Sequence, residues 1–221
     1  MTERIPLQVS IMSLVYSTGR ALVWWLFFLL TRREVSGREN VPDQGPLIIV
    51  SNHIHNADPP IVGISFRRRV IFMAKEELFR SRITAFFMRR FGSFPVNRQR
   101  FGREALRQAQ KVLDGGLALA MFPEGKRSLK NQLENPLPGS ALIACRSGAP
   151  IIPVGISGTE QVRGITWIFR RPRMSVNIGR PFYLTPAGGK LDRKELAEMA
   201  DSIMLEIAKL LPPEYRGKYQ I

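Results

Sequence analysis

Short apolar runs separated by turn residues set the rhythm of this chain. PLIIVSN (Pro46 to Asn52), Val70 to Ala74, LALAMFP (Leu117 to Pro123) and IIPVGISG (Ile151 to Gly158) read as buried strands. They are continuous rather than alternating, the pattern of strands covered on both faces. EVSGRENVPDQGP (Glu34 to Pro46) predicts a short strand and loop, and GSFPVNR and RMSVNIGRPF predict further short strands. Between them the period changes to that of helices. Phe101 to Leu113 is amphipathic and stops at Gly115-Gly116, and PGSALIACRSGAP is a short helix with a Gly stop. Leu196, Met199, Ile203, Ile207 and Leu210 give Leu191 to Leu211 a helical face, ended by Pro212-Pro213. Asp58-Pro59-Pro60 predicts a helix start, with Asp58 as N-cap and the helix running to about Phe66. Strands alternating with helices predict an α/β fold: a single mixed, mostly parallel sheet flanked by helices.

The first thirty residues break that rhythm. IPLQVSIMSLVYSTGRALVWWLFFLL is apolar over a long stretch, yet its uninterrupted part, Ala21 to Leu30, is shorter than the roughly 20 residues a spanning helix needs. Thr31-Arg32-Arg33 follows in place of a small-residue cleavage site. The favoured structure is a membrane-associated, monotopic anchor of helices hinged near Gly19; a true span and a helix buried in the core are the alternatives. Trp24 and Trp25 would sit at headgroup depth, and Arg32 and Arg33 near lipid phosphate. The expected organisation is an anchor over 1–33 and a catalytic domain over 34–221, on the cytoplasmic face of a membrane.

Composition sharpens this picture through charge. Thirty-three Lys and Arg face 18 Asp and Glu, a formal net charge of +15. Such a field attracts anionic lipid, nucleic acid or phosphorylated small molecules. No zinc-finger, RRM or KH signature supports nucleic acid. An apolar share of 44% excludes a disordered chain, and a lone Cys145 excludes an internal disulfide.

Three polar clusters each follow an apolar strand, where open α/β sheets collect ligands. His53 and Asp58 follow PLIIVSN. A histidine takes a proton from a hydroxyl better when a carboxylate fixes its tautomer and stabilises the imidazolium. No G-x-S-x-G elbow supplies an enzyme nucleophile, so the attacking hydroxyl would belong to the substrate. The same spacing also fits a helix cap beside a loop histidine. His53, His55 and Asp58 make an incomplete metal site, and no metal is expected. Glu124 and Arg127 follow LALAMFP, and Gly125 permits the tight turn that aims them into a cleft. GKRS lacks the upstream glycine of a P-loop, Ala120 standing there. Arg98 and Arg100 follow SFPV, placed to bind phosphate or to lie on solvated surface.

Taken together, these clusters resemble the glycerolipid acyltransferase family, which includes 1-acylglycerol-3-phosphate acyltransferases. NHIHNAD matches its NHxxxxD block, GSFPVNR its second block, FPEGKRS its FPEGTRS block, and APIIPVGISG its fourth, over Pro46 to Gly158. GRPF (Gly179 to Phe182) looks like the family's downstream strand. The resemblance implies His53 as general base with Asp58 as partner, and Arg98, Glu124, Gly125 and Arg127 as binders of the glycerol phosphate acceptor. Pro153 belongs to the fourth block, for acyl-donor binding or structure. Lys126 for the usual Thr and Asn97 for a frequent Asp shift the charge of the site upward.

The expected activity is acyl transfer from acyl-CoA or acyl-carrier protein, as co-substrate and without a further cofactor, to the free hydroxyl of a lysophospholipid. The leading acceptor is 1-acylglycerol-3-phosphate, which would give phosphatidic acid. Another lysolipid or a glycolipid acceptor, a thioesterase-like hydrolase, and a non-catalytic basic lipid-binding module are the rivals. Membrane lipid is the expected partner; oligomeric state is not encoded in any motif.

Overall fold

The computed structural model describes residues 7–96, 102–185 and 192–221. In chain order the elements are α1 (Leu7–Leu30), β1 (Arg32–Ser36), β2 (Leu47–Ser51), α2 (Asp58–Ser65), β3 (Val70–Lys75), α3 (Arg82–Arg90) and β4 (Phe94–Val96). Then come α4 (Arg103–Asp114), β5 (Ala118–Met121), α5 (Gly139–Ser147), β6 (Ile151–Ser157), α6 (Trp167–Arg170), β7 (Arg173–Ile178) and α7 (Arg193–Ala208). The seven strands form one sheet in the order β1-β7-β6-β2-β5-β3-β4. Every neighbouring pair is parallel except β6 and β7. The mixed, mostly parallel sheet expected from the alternation is the one observed.

The apolar runs are buried on both sides because successive side chains point to opposite faces. Ile48, Val50, Leu119 and Ile151 pack beneath α4, α5 and α7, against Leu113, Ile143, Ile203 and Met204. Leu47, Ile49, Ala120 and Ile152 face the other way, towards α2 and α1, where Ile61, Val62 and Phe27 meet them. β2 pairs with β5 on one side and β6 on the other, in register Ile48–Leu119 and Ile48–Ile151. Three parallel strands therefore end at one sheet edge, which brings the loops after Ser51, Met121 and Ser157 together.

Two expectations about the N-terminus change. α1 is one continuous helix through Gly19, with no hinge. A Cβ at that position would lie 3.0 Å from the Phe91 ring, so the glycine serves close packing against the end of α3. Arg33 is not a free headgroup contact: it lies in β1, paired in register with Met174, and its half-buried guanidinium has an unpartnered Nη1. Arg32 is exposed. No described helix is long and apolar enough to cross a membrane. α1 instead splits into faces: Phe27 is buried on the core with Val23 and Trp24 beside it. Leu22, Trp25, Leu26 and Leu29 stay between 49% and 72% exposed, which is a large apolar surface for a helix to leave in water. On the neighbouring α3, Ile83, Phe86 and Phe87 are exposed as well.

Candidate active site

His53 is the first functional group after β2, and its backbone is clamped from the β5 loop. Its N–H donates to Glu124 Oε1 at 3.1 Å, and its carbonyl accepts from the Ser128 N–H at 2.7 Å. Its ring stacks on Phe122 with centroids 4.2 Å apart. The side chain donates from Nδ1 to Asp58 Oδ2 at 2.8 Å, the tautomer being the one a carboxylate acceptor selects. Nε2 has no hydrogen-bond partner among the described residues, and His53 lines a cavity of about 1300 Å³.

Asp58 does not cap α2. It is the first residue of the helix, after Ala57, and its carboxylate turns back over the preceding loop. Oδ2 accepts from the N–H groups of Ile54 and His55 at 2.7 Å each, besides His53. Oδ1 accepts from the Thr159 hydroxyl at 2.6 Å. These donors hold one fully buried carboxylate against the His53 ring, where an imidazolium would develop.

The β5 loop is shaped by Gly125, whose φ is +68°. A Cβ there would be strained by the backbone and would also lie 2.4 Å from Leu137 Cδ1. Glu124 points inward from this turn and is 3% exposed. Its oxygens are occupied: Oε1 by His53 N–H, Oε2 by Glu134 N–H at 3.1 Å. Burial pushes its carboxyl up to about 7, against the opposing pull of those two N–H donors; the nearby charges of Glu134 and Asp58 add to the rise. Arg127 is exposed, lines the cavity and forms no ion pair among the described residues. Lys126 is tied to Glu134 at 2.6 Å, so the charge it adds to the loop is already compensated.

The cavity itself has two characters. Pro60, Ile64, Phe72, Met88 and Phe91 make an apolar limb that reaches α1 at Val23 and Tyr16. Lys75, Arg80, Lys126 and Arg127 line the cavity too, with Glu76, Glu77 and Glu124, and Lys75 pairs with Glu77 at 3.1 Å. Residues 32–157 match the acyltransferase family. The chain belongs to that family. It is 26% identical over 179 residues to a 1-acyl-sn-glycerol-3-phosphate acyltransferase of Bacillus subtilis, covering 80% of this chain and 87% of that one. It is 30% identical over 175 residues to the enzyme of the same name from Streptococcus pneumoniae, covering 78% of this chain but 63% of that protein. Its fold is similar to the crystal structure of the 1-acyl-sn-glycerophosphate (LPA) acyltransferase PlsC from Thermotoga maritima. The TM-score is 0.64 at 27% identity, over 87% of this chain and 76% of that one.

The acyltransferase brings His53, Asp58, Glu124, Gly125 and Arg127 to one edge of the sheet. Arg98, with Asn97 and Arg100, lies outside the described residues. His55 is half-buried, and its Nδ1 accepts from the Ala57 N–H at 3.2 Å. Burial lowers its pKa, and the guanidinium groups of Arg127 and Arg163 lower it further, while Asp58 and Glu160 pull the other way. Among the described residues no group of three His, Cys, Asp or Glu side chains is arranged to hold a metal. Pro153 lies in β6 opposite Val50 and does not line the cavity.

Asn52, inside the NHIHNAD block, and Thr159, outside every block, make contacts that the motifs do not assign. Asn52 bonds Ile156 twice, donating to its carbonyl and accepting from its N–H at 2.8 Å each, which locks the end of β2 to β6. Thr159 is wholly buried and reaches Asp58 from 101 residues away. Its only sequence signal is its place just after the β6 exit. Thr159→Val is expected to lower kcat by about tenfold, the worth of a hydrogen bond to a charged group, with KM unchanged. Thr159→Ser should restore the rate. A drop that serine does not reverse would assign Thr159 to packing instead.

Proposed function

We propose that this acyltransferase moves an acyl chain from a thioester donor, acyl-CoA or acyl-carrier protein, to the free hydroxyl of a lysophospholipid. The leading acceptor is 1-acylglycerol-3-phosphate. The observation that carries the reading is the His53 ring, anchored at Nδ1 by Asp58 and lining a cavity whose wall carries both apolar and basic side chains. In the proposed step, Nε2 takes the proton of the acceptor hydroxyl as its oxygen attacks the thioester carbonyl. The tetrahedral oxyanion then collapses, the carbon–sulfur bond breaks, and the departing thiolate takes the proton from the imidazolium. No covalent enzyme intermediate is needed, since no serine or cysteine bonds Nε2 among the described residues. Asp58 holds the ring and stabilises its charge without becoming protonated.

The acyl chain occupies the apolar limb, and Arg127 grips the acceptor phosphate with its planar fork. Glu124 and Gly125 serve the acceptor site indirectly, by fixing the loop that presents both His53 and Arg127. The exposed faces of α1 and α3 rest on the cytoplasmic surface of a membrane as a monotopic anchor, so that a lysolipid enters the cavity beside Val23 without leaving the bilayer.

The test is a labelled acyl donor offered with a panel of lysolipids, scoring ester against free fatty acid. Esterification of 1-acylglycerol-3-phosphate above other acceptors is the expected result. Free acid alone would make the enzyme a thioesterase, and no turnover would leave a binding module. In the same assay Arg127→Ala should raise KM for the phosphorylated acceptor by about 10- to 100-fold, the scale of one charge-assisted contact. Unchanged kinetics would remove Arg127 from the acceptor site.

A further inference from the structure

A second cleft, of about 620 Å³, opens between α1 and the Arg67–Arg69 turn that leads into β3. It shares Tyr16 and Arg20 with the larger cavity, but neither His53 nor Glu124 lines it. Three arginines line it: Arg20, Arg67 and Arg69. None forms an ion pair among the described residues. Arg20 Nη1 donates to the Arg67 carbonyl at 2.8 Å, which ties the turn to the helix. The Arg69 guanidinium lies over the Tyr16 ring at 5.2 Å, and the Tyr16 hydroxyl accepts from the Val70 N–H at 3.2 Å. Arg69 Nε is buried and unpartnered.

The other wall is aromatic. Trp24 and Trp25 meet edge to face at 5.2 Å, and Trp24 stacks on Phe28 at 5.0 Å. Next to them along α1 stand the exposed Leu22, Leu26 and Leu29. Tryptophans favour the depth of lipid headgroups, and arginine forks fit phosphate oxygens. The cleft thus sets arginines beside tryptophans, with exposed leucines close by on the same helix.

We propose that this cleft binds the phosphate headgroup of an anionic membrane lipid, as a site separate from the acyl-transfer cavity. The proposal rests on the reading of α1 as a membrane contact. It makes the enzyme sensitive to the charge of its bilayer through named residues, rather than through its overall field.

The experiment measures sedimentation of the full chain with vesicles of phosphatidylcholine alone, or mixed with phosphatidylglycerol. The native protein is expected to bind the mixed vesicles more tightly. Arg67→Gln with Arg69→Gln should weaken binding to the mixed vesicles by about 30-fold, from about fivefold per basic residue near an anionic surface. Binding to phosphatidylcholine alone should stay the same. Arg67→Lys with Arg69→Lys keeps the charge but loses the fork, and should also weaken binding. Arg82→Gln with Arg89→Gln, exposed on α3, is the control for a general field and should lose clearly less. Equal loss in that control, or full binding by the lysine pair, would overturn the site. Should the double glutamine variant not fold, Arg67→Gln alone carries the test, because that side chain is exposed. Leu22, Leu26 and Leu29 changed together to Ser should lose binding to both vesicle types. If they do not, the reading of α1 is wrong, a failure distinct from that of the arginine cleft.

Discussion

His53→Ala lowers kcat by about 10²- to 10⁴-fold, the range that a positioned general base contributes, while KM for both substrates changes little. The reason is geometric. The ring is held at Nδ1 by Asp58, on its face by Phe122, and along its backbone by Glu124 and Ser128. Its remaining nitrogen therefore does not need to be ordered when substrate arrives. Asp58→Asn is the companion variant. An Asn oxygen placed where Oδ2 stands still accepts from Ile54 and His55. Its NH₂ then faces Thr159, whose hydroxyl can rotate to accept. The fold is thus expected to survive, and the rate to fall because the charge that stabilises the imidazolium is gone. Steady-state kinetics and a thermal melt check both variants. Undiminished turnover by His53→Ala would end the assignment of the base.

Glu124→Gln changes both rate and the dependence of stability on pH. Gln has one oxygen, and Glu124 uses both of its own to accept backbone N–H groups. One of those buried donors is left facing an NH₂, at a cost of about 1–3 kcal/mol. If His53 loses its tether, the ring shifts. A displacement on the order of 1 Å at a catalytic group lowers the rate by about 100-fold. The pH effect has a definite sign. Burial raises the folded carboxyl from 4.5 to about 7, so the folded state binds the proton more tightly than the unfolded one. Stability from this group is full below pH 4.5, falls as pH rises from there to about 7, and is flat above. The total is at most about 3 kcal/mol, at 1.36 kcal/mol for each unit. Urea unfolding of native and Glu124→Gln proteins across this window should show the native curve falling relative to the variant. Parallel curves would mean that Glu124 stays ionised throughout.

Glu124 and Asp58 illustrate what motif reading captures and what it misses. Both were legible as site residues because each follows an apolar run that ends at the same edge of a parallel sheet. Their roles were less legible. Asp58 before two prolines has every local mark of an N-cap, but a cap accepts from the turn ahead, and this carboxylate accepts from the loop behind. Glu124 stood as an acceptor-binding group, yet its oxygens are filled by the chain's own backbone. Hydrogen-bond direction is a tertiary property, and residue type at a given spacing does not carry it. The single-helix course of α1 through Gly19 was hidden for the same reason: a glycine that reads locally as a hinge is needed instead for contact with Phe91.

The sequence by itself determined the layered α/β class, because continuous apolar strands demand cover on both faces and amphipathic helices supply it. It also carried the family resemblance and named His53, Asp58, Glu124, Gly125 and Arg127 as candidates, since their chemistry is local to short motifs. The tertiary structure decided what those residues touch. It brought Thr159 to Asp58 from beyond β6 and tied Asn52, beside His53, to Ile156. It turned Arg33 into a strand residue and gathered Arg20, Arg67 and Arg69 around one cleft. These contacts join positions far apart along the chain, and strand order brings them together: β2 lies between β5 and β6 only once the sheet is assembled.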